Sequence, residues 1–319
     1  MKFDGHVHFV GDGSKGNGCW LRRNSLLDQV SEPILKRQAG IFETSRSLGL
    51  DRAYEQMLLG LIDTSSLDAV LLLAMDYPYD EKGNCLKQKA KFFVSNDHVL
   101  DLAKKHSQIF SACSIHPARK DAIEELERCA EHGAKVLKLL PNCHNLDCSD
   151  PRYRPFWEKL AQLGLPFLAH TGGEFSVPVL NSKFADPRLL RLPLECGVTV
   201  IAAHGAGKSG LFDPDYTEDL LRMMKEFKRL FTDNSALASP NRWRTLPALL
   251  DAKVQDRVVH GSDFPIPSGG FGPWIGGLLS GKSYREARKI ANPLERDCFI
   301  KQAVGFREST FTRLPDLLP

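Results

Sequence analysis

The chain has 319 residues, 42% hydrophobic and 25% charged, with 42 basic against 39 acidic side chains and a formal net charge of +3. This composition is ordinary for a globular protein, and so small a charge excess argues against a nucleic-acid or membrane-surface partner. No run of 18 apolar residues is present to span a membrane, the N-terminus lacks the apolar core of a signal peptide, and the eight cysteines form no CxxC pair, so a cytoplasmic protein with reduced thiols is expected.

The first predicted strand, FDGHVHF (3–9), opens on a candidate metal site. Alternate side chains of a strand share a face, so Asp4, His6 and His8 are expected to point the same way. Two imidazoles so placed at a strand end can chelate one divalent cation through neutral nitrogens. Seven more short aliphatic runs follow: LDAVLLLAMD (67–76), FSACSIH (110–116), KVLKLLP (135–141), LPFLAH (165–170), VTVIAAH (198–204), RLFTDNS (229–235) and RVVHGSD (257–263). Each ends at a polar residue or turn signal, as strands buried on both faces do. Helical patterns separate them at 54–63, 96–106, 120–132, 153–163, 186–196, 215–228 and 241–252, and further helices are expected after the last strand. Eight such units predict a parallel (β/α)8 TIM barrel, and the whole chain, 1–319, is read as one such domain. A doubly wound open sheet is the competing architecture; it accounts less well for eight near-equal units.

Two regions depart from the repeat. Residues 10–50 form an extended loop after the first strand, opening with GDGSKGNG (11–18) and running through Trp20, Arg22 and Arg23. In a barrel this loop lies over the active-site face and suits a lid; a surface elaboration without a catalytic part is the alternative. PIPSGGFGPW (265–274) is a second Gly/Pro loop on the same face.

Barrel enzymes carry their chemistry where strands end. Here the first strand offers His6 and His8, the third His116, the fourth Lys138, the fifth His170, the sixth His204 and the eighth Asp263. Strand alternation aligns Asp263 with Gly261 and Val259, His204 with Ala202 and Val200, and His170 with Leu168. His260 falls off that face and is read as structural. Asp233 ends the seventh strand, where it could stand behind the metal ligands, and Arg242, Trp243 and Arg244 follow it and could line the mouth.

This set resembles the amidohydrolase superfamily, above all the amidohydrolase-related branch that also holds the aminocarboxymuconate-semialdehyde decarboxylase-like enzymes. The likeness runs from DGHVHF (4–9) through LPFLAHTGG (165–173) and VIAAHGAG (200–207) to HGSDFP (260–265). It implies a metal-dependent barrel in which His6, His8 and His170 hold one divalent ion, with Asp263 as ligand and proton acceptor. His204 would stand beside the ion as a further ligand or as a group polarising the substrate. Zinc is the expected ion and manganese the alternative, one per chain. Lys138 would bridge two ions as a carbamate in two-metal relatives and contact substrate in single-metal ones; one ion is the expectation. His116 is a candidate substrate contact, Arg119 a candidate for an anionic group, and Cys143, His144 and Cys148 a weakly supported second metal site.

A metal with an open position acidifies a bound water, a carboxylate can take the released proton, and a nearby imidazole can stabilise charge on the substrate oxygen. The expected activity is hydrolysis of an ester, lactone or amide of a small molecule. A non-oxidative decarboxylase of a small carboxylic acid is the alternative, with Arg22, Arg23 and Arg242 available for the carboxylate. A non-catalytic binding barrel has little need of an open metal site with a retained aspartate. A small, anionic substrate fits these residues, and a homo-oligomer is left open.

Overall fold

The computed structural model describes residues 1–22, 42–210 and 212–319. Eight parallel strands follow one another in chain order: β1 Phe3–His8, β2 Ala69–Leu73, β3 Ile109–Cys113, β4 Val136–Leu139, β5 Phe167–Ala169, β6 Val200–Ala202, β7 Leu230–Asp233 and β8 Val258–Val259. The first and last strands meet through hydrogen bonds from Gly5 N–H to His260 O (2.9 Å), Asp263 N–H to His6 O (2.8 Å) and His8 N–H to Phe264 O (2.8 Å). The predicted (β/α)8 barrel is therefore the observed fold, and all eight predicted runs are its strands.

The helices wrap the sheet: α1 Leu50–Asp63, α2 Asn96–Lys105, α3 Ala122–Glu131, α4 Arg154–Gln162, α5 Arg191–Glu195, α6 Thr217–Glu226 and α7 Leu246–Leu249. The C-terminal part adds Phe271–Ile275, Gly281–Ala287, α8 Pro293–Val304 and Glu308–Thr312. Local chemistry sets several ends. Ser95 caps α2 by accepting from His98 N–H, and Asn292 caps α8 by accepting from Leu294 and Glu295 N–H. Apolar residues inside the barrel, among them Phe3, Leu71, Leu73, Val136, Leu168, Ile201 and Val259, pack with Leu314 from the C-terminus. A second apolar layer fills the space between sheet and helices. Burial on both faces is why these strands read as continuous apolar runs.

The described part of the long first loop is tied down. Asp51, at the start of α1, accepts from the backbone N–H of Asp12 and Lys15, and Trp20–Leu21 pairs antiparallel with Phe92–Phe93. Arg23 and the rest of 23–41 lie outside the described residues. No helix among the described residues is long and apolar enough to cross a membrane, and the eight cysteines are free thiols.

Two expectations about which way side chains point are corrected. Asp4 does not share a face with His6 and His8. The register of β1 on β2 slips between Asp4↔Val70 and Val7↔Leu72, so three steps on β1 meet two on β2. This bulge inserts one residue and reverses the alternation. Asp4 turns to the helix side, where its Oδ1 accepts from His6 N–H (3.0 Å) and Ser262 N–H (2.8 Å). On β6 the inward residues are Ile201 and Ala203, while Val200 and Ala202 face the helices. Strict alternation would send His204 outward with them; instead its backbone is left-handed (φ 61°) and redirects the side chain to the barrel mouth.

Candidate metal centre

The bulge in β1 brings His6 and His8 to the mouth together, and β8 supplies Asp263 opposite them. Asp263 Oδ1 lies 3.3 Å from His6 Nε2 and 3.2 Å from His8 Nε2. Among the described residues these three form the group whose donor atoms converge closely enough to hold one ion. Asp263, like His204, is left-handed (φ 65°). A non-glycine residue in that region costs on the order of 1–3 kcal/mol and persists only where its surroundings dictate it. Gly261 makes the approach of β8 to β1 feasible: a Cβ there would sit 2.7 Å from His6 Cβ and 3.2 Å from Ser235 Cβ.

Asp233, at the end of β7, organises the imidazoles. Its Oδ2 accepts from His6 Nδ1–H at 2.8 Å, which leaves His6 Nε2 as the lone-pair side. Its Oδ1 accepts from His204 N–H (2.7 Å), Ser235 N–H (3.0 Å) and the Ser235 hydroxyl. Because that hydroxyl donates to Asp233, Ser235 Oγ accepts from His204 Nδ1–H at 2.8 Å. His204 Nε2 is then an acceptor, and His170 Nδ1–H donates to it at 3.2 Å. His170 Nε2 is left a bare lone pair, buried and without a hydrogen-bond partner. One carboxylate thus sets the tautomer of His6 directly and of His170 through two intermediaries. Both end with an unprotonated Nε2, as a divalent metal requires.

The electrostatics agree. Burial, with the charge of Lys138, lowers the His6 pKa to about 4, and burial holds His170 and His204 well below 6.5. All three are neutral at pH 7, the ligating form. Burial alone would raise the Asp263 carboxyl, but His6, a hydrogen bond from His8 and the charge of Arg242 outweigh it, and Asp263 stays ionised well below the usual carboxylate range. Asp233 is held down in the same direction by His6 and His204 against its burial.

Lys138 points inward from β4, its Nζ 3.2 Å from His6 Nε2, and burial lowers its pKa to about 8. Arg242, 4% exposed, donates through Nη2 to Gly173 O, while its Nη1 has no partner. Glu174, unremarked in the sequence, places Oε2 3.6 Å from His170 Nε2; its signal was its position four residues beyond a strand-end histidine. It borders a cavity of about 190 Å³ also lined by Asn142, Val179, Ser182 and Asp213.

Other candidates stand apart from this group. His116 has both ring nitrogens occupied by backbone: Nδ1 accepts from Ala118 N–H (3.0 Å) and Nε2–H donates to His144 O (3.2 Å). Arg119 pairs with Asp121 at 2.8 Å and Asp76 at 3.4 Å. Cys143 and Cys148 sit in different apolar clusters of the layer between sheet and helices, and burial pushes both thiols well above 9, the opposite of what a metal thiolate needs. His260 packs on Phe311 with Nε2 3.4 Å from Cys298 Sγ, on the helix side.

Solved structures share this architecture. The chain is similar to a protein described as a 2-pyrone-4,6-dicarboxylic acid hydrolase from Pseudomonas putida (17% identity, 96% of this chain and 98% of that one, TM-score 0.53). It is also similar to the IDCase of Metarhizium anisopliae in apo form (13%, 99% and 97%, TM-score 0.54). A third is a dihydroxybenzoic acid decarboxylase from a Polaromonas species with bound manganese and the inhibitor 2-nitroresorcinol (15%, 95% and 96%, TM-score 0.51). At these identities the likeness speaks for the fold. A comparison with curated proteins finds no match. The amidohydrolase family model matches residues 62–290, well over half of the length, and the chain belongs to this amidohydrolase family of metal-dependent enzymes.

Proposed function

We propose that the protein is a hydrolase that opens an ester, lactone or amide of a small carboxylate-bearing substrate, using one divalent ion per chain, zinc or alternatively manganese. His6, His8, His170 and Asp263 would hold that ion. The observation that carries this reading is the state of Asp263. It is buried against two ligand imidazoles and held ionised, so it is prepared to take a proton rather than to give one. Hydrolysis starts by deprotonating water and needs a base there; decarboxylation ends by protonating carbon and needs an acid.

A divalent ion held by these residues would supply Lewis acidity, enough to lower the pKa of water from about 15.7 to near 7 and to polarise a carbonyl. Asp263 accepts the water proton and returns it to the leaving group. Asp233 keeps His6 Nε2 free of a proton, and His204 does the same for His170, so His204 acts through His170. Arg242 Nη1, buried and unpartnered, pairs with the substrate carboxylate. Lys138 contacts the substrate and bridges no second ion.

Decarboxylation is the second reading, favoured by one observation. Lys138, with a pKa of about 8, is an acid at hand beside His6, and Arg242 would then grip the carboxylate to be lost. Zinc- and manganese-loaded protein incubated with panels of lactones, esters, amides and aromatic acids in ¹⁸O-labelled water separates the two. Label entering the product without CO₂ is expected; CO₂ release from an aromatic acid with no hydrolysis overturns the hydrolase. Asp263→Asn, whose amide oxygen can still ligate, should keep most of the metal and lose about 10²–10⁴-fold in turnover.

A further inference from the structure

Helix α8 carries an ion pair that its own packing does not require. Asp297 and Lys301, one turn apart, are completely buried, with Lys301 Nζ 2.5 Å from Asp297 Oδ2. Both charges lose their water there, and apolar side chains of similar volume would serve a helix contact as well or better. The pair reaches beyond its helix. Lys301 Nζ donates to Gly261 O at 2.5 Å, and Asp297 Oδ1 accepts from Ser268 Oγ at 2.7 Å. These two anchors bracket 262–267, the turn on which Asp263 sits in its left-handed conformation. From the other side β1 grips the same turn: Asp4 Oδ1 accepts from Ser262 N–H and His6 O accepts from Asp263 N–H, each at 2.8 Å.

We infer that the Asp297–Lys301 pair is a positioning device for the metal centre, clamping both ends of the Asp263 turn so that the carboxylate meets His6 and His8 at ligating distance. The carbonyl of Gly261 and the hydroxyl of Ser268 are the points of grip. Neither charged side chain touches the ion; they act through the backbone that carries Asp263. The inference rests on reading His6, His8 and Asp263 as metal ligands.

Cobalt(II) is the probe, titrated into the full chain while its visible absorption band is recorded and its affinity measured by chelator competition. The double variant Asp297→Leu/Lys301→Met removes both charges and strands neither. It should fold, bind cobalt about 10- to 100-fold more weakly, the usual cost of losing an outer support, and show a shifted band. Ser268→Ala cuts one anchor alone and should weaken binding in the same direction by less, which keeps the test decisive if the double variant does not fold. Leu126→Ala in α3, which loosens the outer apolar layer, should lower stability yet leave the band in place, separating positioning from general destabilisation. Wild-type affinity and an unshifted band in the double variant, or in Ser268→Ala should the double variant not fold, overturn the clamp and leave the metal centre standing. A wild-type chain that gives no cobalt band overturns both.

Discussion

Asp233 shows how one side chain can set the chemistry of several others. It touches no proposed ligand atom, yet its two oxygens determine which nitrogen of His6 is bare and, through Ser235 and His204, which nitrogen of His170 is. Both oxygens are used as acceptors. Asp233→Asn would turn one of them into a donor facing an N–H or O–H group, so one of the two imidazoles must flip or lose its support. Metal affinity should fall by about 10- to 100-fold in this variant, measured by chelator competition, while the barrel stays folded. Unchanged affinity would mean that the imidazoles hold their tautomers without it. The sequence offered Asp233 as a strand-end carboxylate that could stand behind the metal ligands, but not which ligand it serves; that comes from meeting a residue 227 positions away.

At the scale of elements, the site depends on how closely β8 can approach β1. The bulge in β1 pushes His6 inward, and Gly261 leaves room for its Cβ. Gly261→Ala would place a methyl 2.7 Å from His6 Cβ, closer than such atoms approach, and neither strand can yield without moving a proposed ligand. The expected outcome is a loss of about 1–3 kcal/mol in stability, as for overpacking in other cores, read from the urea midpoint. Cobalt binding should weaken alongside it. A variant of full stability and full affinity would show that the two strands are less tightly coupled than the geometry implies. The long loop after β1 is held by comparable means, with Asp51 gathering backbone N–H groups of Asp12 and Lys15 at the start of α1.

The molecule buries several neutral imidazoles, and its stability should show it. His116, His144 and His260 lie outside the three-residue metal group, and burial lowers the pKa of each, that of His144 to about 3. In the unfolded chain these groups protonate near 6.5, so below that pH the unfolded state takes up protons the native state refuses, and stability falls as pH falls. Asp4 works in the opposite sense: burial raises its pKa to about 7, so between pH 7 and 3.8 the native state holds a proton the unfolded state lacks. Burial raises Asp76 and Asp297 in the same sense as Asp4, but seven histidines are lowered against these three carboxyls, so the net effect is a loss of stability as pH falls below 6.5. Thermal unfolding midpoints should therefore drop steeply between pH 6.5 and 5. A flat profile over that range would show that these imidazoles are not held neutral.

The sequence by itself determined the barrel. Eight apolar runs, each long enough for one doubly buried strand and each followed by an amphipathic segment, admit little else, because burial on both faces and helical periodicity are written locally. It also brought His6, His8, His170, Lys138 and Asp263 to one edge, since barrel strands all end at the same rim. What only the tertiary structure decided were departures from regularity and pairings over long distance. The β1 bulge separated Asp4 from the histidines, a left-handed backbone at His204 overrode strand alternation, and backbone groups claimed both nitrogens of His116. A period of two cannot encode a bulge, and no local pattern reports that Asp233 will meet His6 or that Lys301 will reach Gly261. Those contacts exist because closing the barrel brings β1 and β8 together, and the helix that packs behind that seam carries the side chains that grip it.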